Sequence, residues 1–124
     1  MGDVAVRNPL PNRRASFTQK VKVGSQTVYL TCGEREDGTL GEIFLDVSKA
    51  GSAVRAMLST LAIFMSIGIQ HGIPLALYVD ALRGISFEPA GIVHGSMHVA
   101  TAESILDFVA KQLEADYLKE KAHG

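Results

Sequence analysis

Residues 52–70, SAVRAMLSTLAIFMSIGIQ, carry one charge, Arg55, and no proline. A helix lying on a protein surface shows a polar stripe at 3.6-residue spacing, and here that stripe is almost missing. The stretch therefore predicts a central helix buried on most of its sides, with the rest of the chain wrapped around it. The uncharged run up to the helix stop, Ala56 to His71, falls short of the roughly 18 apolar residues a membrane span needs, and it contains Ser59, Thr60, Ser66 and Gln70. A core helix is expected rather than a transmembrane one.

What precedes the helix reads as strands. Ser16 to Val23 alternates Phe17, Gln19, Val21 and Val23 with Thr18, Lys20 and Lys22, a period of two. Gly24-Ser25 is a tight-turn pair, and Gln26 to Cys32 is rich in β-branched and aromatic residues, so the two runs predict an antiparallel hairpin. Gly33 to Gly38 is a charged connection closed by Asp37-Gly38, and Gly41 to Val47 is a third strand. After the central helix, Gly72-Ile73-Pro74 stops the chain and opens a short helix, Leu75 to Leu82. Ile85 to His98 reads as irregular, and Val99 to Leu118 as a last amphipathic helix.

Strands first and helices after predict an α+β fold: a three-stranded antiparallel meander followed by three helices, βββααα. The domain is expected over residues 12–118, between a flexible extension, 1–11, and a frayed tail, 119–124. Three strands leave sheet edges open, so a homodimer is expected to cover them.

The chain has 124 residues, enough for one domain, and 47% apolar with 20% charged residues suits a soluble globular protein. A net charge of −1 argues against a strong global field for nucleic acid or membrane. Arg7, Arg13, Arg14, Lys20 and Lys22 face only Asp3 in the first 24 residues, a weak hint of an anionic partner. Cys32 is the only cysteine, so there is no internal disulfide. No signal-peptide core opens the chain, and the cytoplasm is the expected compartment.

The candidate chemistry is thin. His94 and His98 are four apart but flank Gly95, and no acid accompanies them, so no metal site is expected. Glu34, Glu36 and Asp37 read as a solvated turn. Cys32 has no cationic neighbour in sequence to activate it. Ser104 and Asp107 read as helix-capping and surface residues, outside any nucleophile elbow. Two features invite a partner. Arg13, Arg14, Lys20 and Lys22, with Tyr29 on the neighbouring strand, would line a basic sheet face able to meet phosphates. Phe87-Glu88-Pro89-Ala90-Gly91 would form a rigid, buried turn that offers Glu88 to Arg55, Arg13 or Arg14.

In combination these pieces resemble a known family. LPNRRASFTQKVKVGSQTVYLTCGEREDGTLGEIFLDVSKAGSAVRAMLSTLAIFMSIGIQHGIPLALYVDAL, then FEPAG, then SILDFVAKQLEADYL, is similar to the C-terminal accessory domain, called TSCPD, of vitamin B12-dependent (class II) ribonucleotide reductase, especially in its α-proteobacterial form. The resemblance runs from about Leu10 to Leu118. It implies that the radical-forming cysteine, the redox cysteines and the cobalamin site belong to a catalytic barrel outside this region. It therefore implies a free-standing accessory domain that is no enzyme by itself and binds no cofactor. Lys111 stands where the family favours an arginine.

The resemblance implies a protein that binds a partner in deoxynucleotide metabolism, a reductase chain foremost, with Arg13, Arg14, Lys20, Lys22, Glu42, Arg55, Phe87 and Glu88 as candidate partner or anion contacts. A nucleotide- or nucleic-acid-binding module is the alternative. A subunit required in trans for ribonucleotide reduction is the third. No membrane association is expected.

Overall fold

The computed structural model describes residues 6–118. Its strands are β1 (Ala15–Val23), β2 (Gln26–Glu34) and β3 (Leu40–Val47), followed by helices α1 (Ser52–Gln70) and α2 (Leu75–Leu82). Two short strands come next, β4 (Gly91–His94) and β5 (Thr101–Ala102), and then α3 (Ile105–Leu113), which runs on into a π-helical turn, Glu114–Leu118. The class is α+β, as the order of patterns requires.

The sheet is five-stranded, in the order β3-β2-β1-β4-β5. β1 and β2 pair antiparallel around Gly24-Ser25, with Val21 opposite Val28 and Phe17 opposite Cys32. Gly24 takes φ +58°, and a Cβ there would meet the Ala90 carbonyl oxygen at 2.7 Å, so the turn needs glycine on both counts. The segment read as irregular supplies β4, whose Val93 lies beside Val23. Four-residue strands are too short to display a period, and the glycines at 91 and 95 masked this one. The last helix starts at Ile105 rather than Val99, because Ser104 caps it. The tail 119–124 and residues 1–5 of the extension lie outside the described residues.

One face of the sheet is the core. Val21, Val23, Val28, Leu30, Ile43, Leu45 and Val47 are buried there, and Phe108, Val109 and Leu113 of α3 complete the cluster. α1 does not sit at its centre. Only Leu58, Ala62, Met65, Ser66 and Gln70 of its nineteen residues are buried, while Met57 and Phe64 are each 65% exposed. The expectation of an all-round buried helix is corrected: α1 lies along the free edge of β3, and its few polar residues are what hold it there.

Ser59, Ser66 and Gln70 recur at helical spacing and bond the outward-pointing backbone groups of β3. The Ser66 hydroxyl accepts from the Ile43 N–H at 2.7 Å and lies 3.0 Å from the Ile43 carbonyl, which competes for its proton with the Ala62 carbonyl at 2.9 Å. Ser59 donates to the Leu45 carbonyl at 3.3 Å, and Gln70 Nε2 to the Gly41 carbonyl at 3.0 Å. A bare edge strand is a template for aggregation, and a covering helix removes it. The cover on the β3 edge thus comes from within the chain, not from the dimer that the sequence suggested. By length and composition α1 could also cross a membrane, yet its polar stripe is occupied by a strand.

The N-terminal extension is pinned at the same place. The Asn8 N–H donates to the Gln70 carbonyl, Arg7 Nε to Gln70 Oε1, both at 2.7 Å, and Leu10 is buried against Gly41.

A second polar node joins α2 to α3. Ser104 accepts from the Asp107 N–H at 3.0 Å and donates to the Ile85 carbonyl at 2.6 Å. Asp107 accepts from the Gly84 and Glu103 N–H groups, both at 2.8 Å, and pairs with Lys111 at 3.0 Å. Capping is as expected, but both residues are buried rather than on the surface. Burial raises the Asp107 pKa, and the two backbone donors and Lys111 outweigh it, leaving the carboxyl below the usual aspartate range.

Two outcomes follow. Ser66→Ala leaves the Ile43 N–H without a partner and should cost about 1–3 kcal/mol, read as a lower Tm and faster hydrogen exchange at Ile43 than at Leu30. Asp107→Asn should cost about 2–3 kcal/mol at neutral pH. The folded pKa lies below the unfolded value of about 3.9, so this stabilisation is complete above about pH 5 and is lost as pH falls through the folded value. The Tm gap between Asp107→Asn and the parent should therefore close on acidification, and a gap constant down to pH 3 would contradict the assignment.

Candidate functional site

Among the described residues no helix covers the second face of the sheet. Because successive side chains alternate, it collects Thr18, Lys20 and Lys22 of β1, Thr27, Tyr29 and Thr31 of β2, and Phe44 and Asp46 of β3. The register arranges them in rows. Thr18, Thr31 and Phe44 stand side by side, with the two threonine hydroxyls 2.7 Å apart. In the next row the Lys20 ammonium lies 6.0 Å from the centre of the Tyr29 ring, and Tyr29 in turn pairs with Asp46. Phe44 is 49% exposed. With Tyr29, Thr31, Asp46, Ser59 and Ile63 it lines a shallow hollow of about 250 Å³ where α1 meets the sheet.

Of the expected contacts, Lys20, Lys22 and Tyr29 do share this face. Arg55 reaches its margin, held by Asp46 through two bonds of 3.1 Å, Nε to Oδ1 and Nη2 to Oδ2. The Arg55 guanidinium in turn keeps the Asp46 carboxyl below its ordinary range.

Arg14 and Glu42 form a separate, structural pair. Arg14 Nε bonds Glu42 Oε2, Nη2 bonds Oε1 at 3.1 Å, and Nη1 bonds the Pro11 carbonyl at 2.9 Å. The Glu42 side chain is buried across Gly33, where a Cβ would collide with the carboxylate. A fork of this kind is committed within the chain and not open to an anion. Arg13 lines the neighbouring cleft of about 520 Å³ with Arg14, Arg35, Glu34 and Glu36, a mixed-charge wall rather than a basic one.

The turn at Phe87 and Glu88 is corrected. It is exposed rather than buried, with Phe87 40% accessible and Glu88 on the surface. Its tie to the fold is the Phe87 N–H on the Glu103 carbonyl at 3.0 Å. The arginines expected to meet Glu88 are otherwise engaged, Arg14 by Glu42 and Arg55 by Asp46.

Other reactive groups are spoken for. Burial, with the charge of Asp116 behind it, pushes the Cys32 thiol up to about 12, so it is an inert core group. Tyr117 donates to Glu34 at 2.5 Å beside it. His94 lies on β4 opposite Lys22, and His98 beyond the Gly95 turn, so the pair never shares a helix face. Among the described residues no three histidines, cysteines or carboxylates gather around a metal position. His123 lies outside them.

Phe44 and Ile63 were missed in the sequence. The signal for Phe44 was present: it is the bulky apolar residue out of phase with Ile43, Leu45 and Val47.

With this geometry in hand, the chain can be set beside known proteins. The TSCPD domain model matches residues 5–117. A vitamin B12-dependent ribonucleotide reductase of Agrobacterium fabrum is 50% identical over 112 residues, 90% of this chain and 9% of that protein. One from Bradyrhizobium diazoefficiens is 47% identical, again over 90% of this chain and 9% of its own length. One from Streptantibioticus cattleyicolor is 38% identical over 113 residues, 91% of this chain and 19% of that protein. This chain thus spans between about a tenth and a fifth of the relatives it matches. No solved structure matches it. The chain belongs to the TSCPD domain family.

Proposed function

We propose that this chain is a non-catalytic docking domain, and that the open face of its sheet receives a protein partner of deoxynucleotide metabolism. A ribonucleotide reductase chain is the first candidate. The observation that carries the reading is that face itself. Phe44, Tyr29 and Ile63 stay accessible in the middle, with Lys20, Lys22 and the Arg55–Asp46 pair around them, an apolar centre with a charged rim. The reductase relatives, which carry the same domain as a small fraction of their length, support the choice of partner.

The residues present do not fit the vitamin B12 that those relatives are named for. A corrinoid needs a broad, mostly apolar cavity, and the cleft beside Arg13 is open and walled by charged side chains. No step is routed through it, and the proposed role is binding alone, in trans to a catalytic chain.

A second reading rests on the same face. Aromatic rings on an open sheet, flanked by lysines, also suit stacked bases and their phosphates. It differs in its salt dependence, because phosphate contacts weaken steeply as salt rises.

The test is binding of the tagged chain to a reductase catalytic chain by calorimetry, with Phe44→Ala and Lys20→Glu as variants. Affinity should fall at least about 10-fold in each while Tm holds, and ribonucleotide reduction by the partner should respond to the parent chain only. Equal binding by both variants would remove the face from the proposal. Strongly salt-dependent capture of single-stranded nucleic acid, with no reductase binding, would install the second reading.

A further inference from the structure

The outward side of α1, from Ala53 to Phe64, is the other surface left open among the described residues. Ala53, Met57, Thr60, Phe64 and Ile67 follow one another at alternating steps of four and three residues along the helix. That is the seam spacing by which one helix packs against another. Met57 and Phe64 are its two projecting side chains, each 65% exposed. Between them lies a hollow of about 350 Å³, lined by Ala56, Met57, Thr60, Leu61 and Phe64. Val54 and Ile63 flank the ridge at 44% and 48% exposure, and Tyr78 of α2 with Ile73 lies against Gly68 and closes the ridge at its C-terminal end. Val54, Met57, Ile63 and Phe64 together bare an apolar stripe of the kind an interface covers.

We propose that this ridge pairs with a second copy of the chain, the two α1 helices running antiparallel about a twofold axis at Thr60. The argument for a second copy is complementarity. Met57 and Phe64 are seven residues apart, two turns, and Thr60–Leu61 lies midway. An antiparallel partner centred there sets Phe64 of one copy against Met57 of the other, twice, with the small Thr60 and Ala56 leaving room. Sulfur against an aromatic edge is a favourable contact. The ridge bears no charge: Arg55, the only charge on α1, is turned to Asp46. Nothing on it repels its own copy, and no charge pattern on it would select a different chain.

The experiment is sedimentation of the whole chain, and of Thr60→Arg, whose site is exposed and whose fold should be unchanged by Tm. The parent should be dimeric at micromolar concentration, and the arginine should raise the dimer dissociation constant at least about 100-fold. Orientation is read by oxidation. Thr60→Cys should form an interchain disulfide, and Ala53→Cys should not, because residue 53 of one copy lies near residues 67 and 68 of the other. The parent, with Cys32 buried, is the blank. A monomeric parent, a dimer indifferent to Thr60→Arg, or crosslinking of both cysteine variants would each overturn the proposal. So would a parent that is monomeric in buffer and floats with phosphatidylcholine vesicles when Thr60→Arg does not, which would assign the ridge to lipid.

Discussion

Everything in this fold depends on how the outer edge of β3 is closed. A strand at a sheet edge exposes N–H and C=O groups that must bond to something. Here the partners are side chains of a helix: Ser59, Ser66 and Gln70 reach the backbone of Leu45, Ile43 and Gly41. Each bond is individually modest, about 1 kcal/mol net, but each left unmade would strand a buried group at greater cost. That asymmetry fixes the position of α1 along the strand. Gln70, at its end, then anchors the N-terminal segment through Arg7 and Asn8.

The closure explains why so apolar a helix is so poorly buried. An amphipathic helix usually turns its apolar stripe inward and its polar stripe to water. In α1 the polar stripe faces protein, because what it meets is backbone rather than side chains. Leu58 and Met65 occupy the neighbouring sector against the core, which leaves Met57 and Phe64 facing outward. The exposed ridge is a geometric consequence of capping a strand with a helix.

How much of this was readable in advance follows from the physics of each element. The hairpin, β3 and the α+β order were legible, because alternation over eight or nine residues and a Gly-Ser turn are local signals. The family resemblance was legible too, since it rests on many short pieces in order. β4 was not legible, because its pairing with β1 is non-local and four residues carry no period. The role of α1 was inverted, since composition states that a helix is apolar but not what Ser59, Ser66 and Gln70 will bond. At the site, Lys20, Lys22 and Tyr29 followed from alternation alone. The Arg14–Glu42 and Arg55–Asp46 pairs did not, because each joins residues on different elements.

The two unpartnered surfaces are not independent. Ile63 of α1 lines the hollow on the open sheet face, with Ser59 beside it, and it also flanks the Met57–Phe64 ridge. Two copies paired through that ridge would carry their open sheet faces on either side of a shared seam. A partner bound by both faces would gain the effective concentration of a linked second site, without any new contact in either. For a small domain with one hydrophobic core and a shallow hollow in place of a deep cleft, duplication of this kind is the physically direct way to hold a large chain. It would also account for keeping so apolar a helix at the rim of the sheet, where it closes the edge on one side and leaves Met57 and Phe64 open on the other.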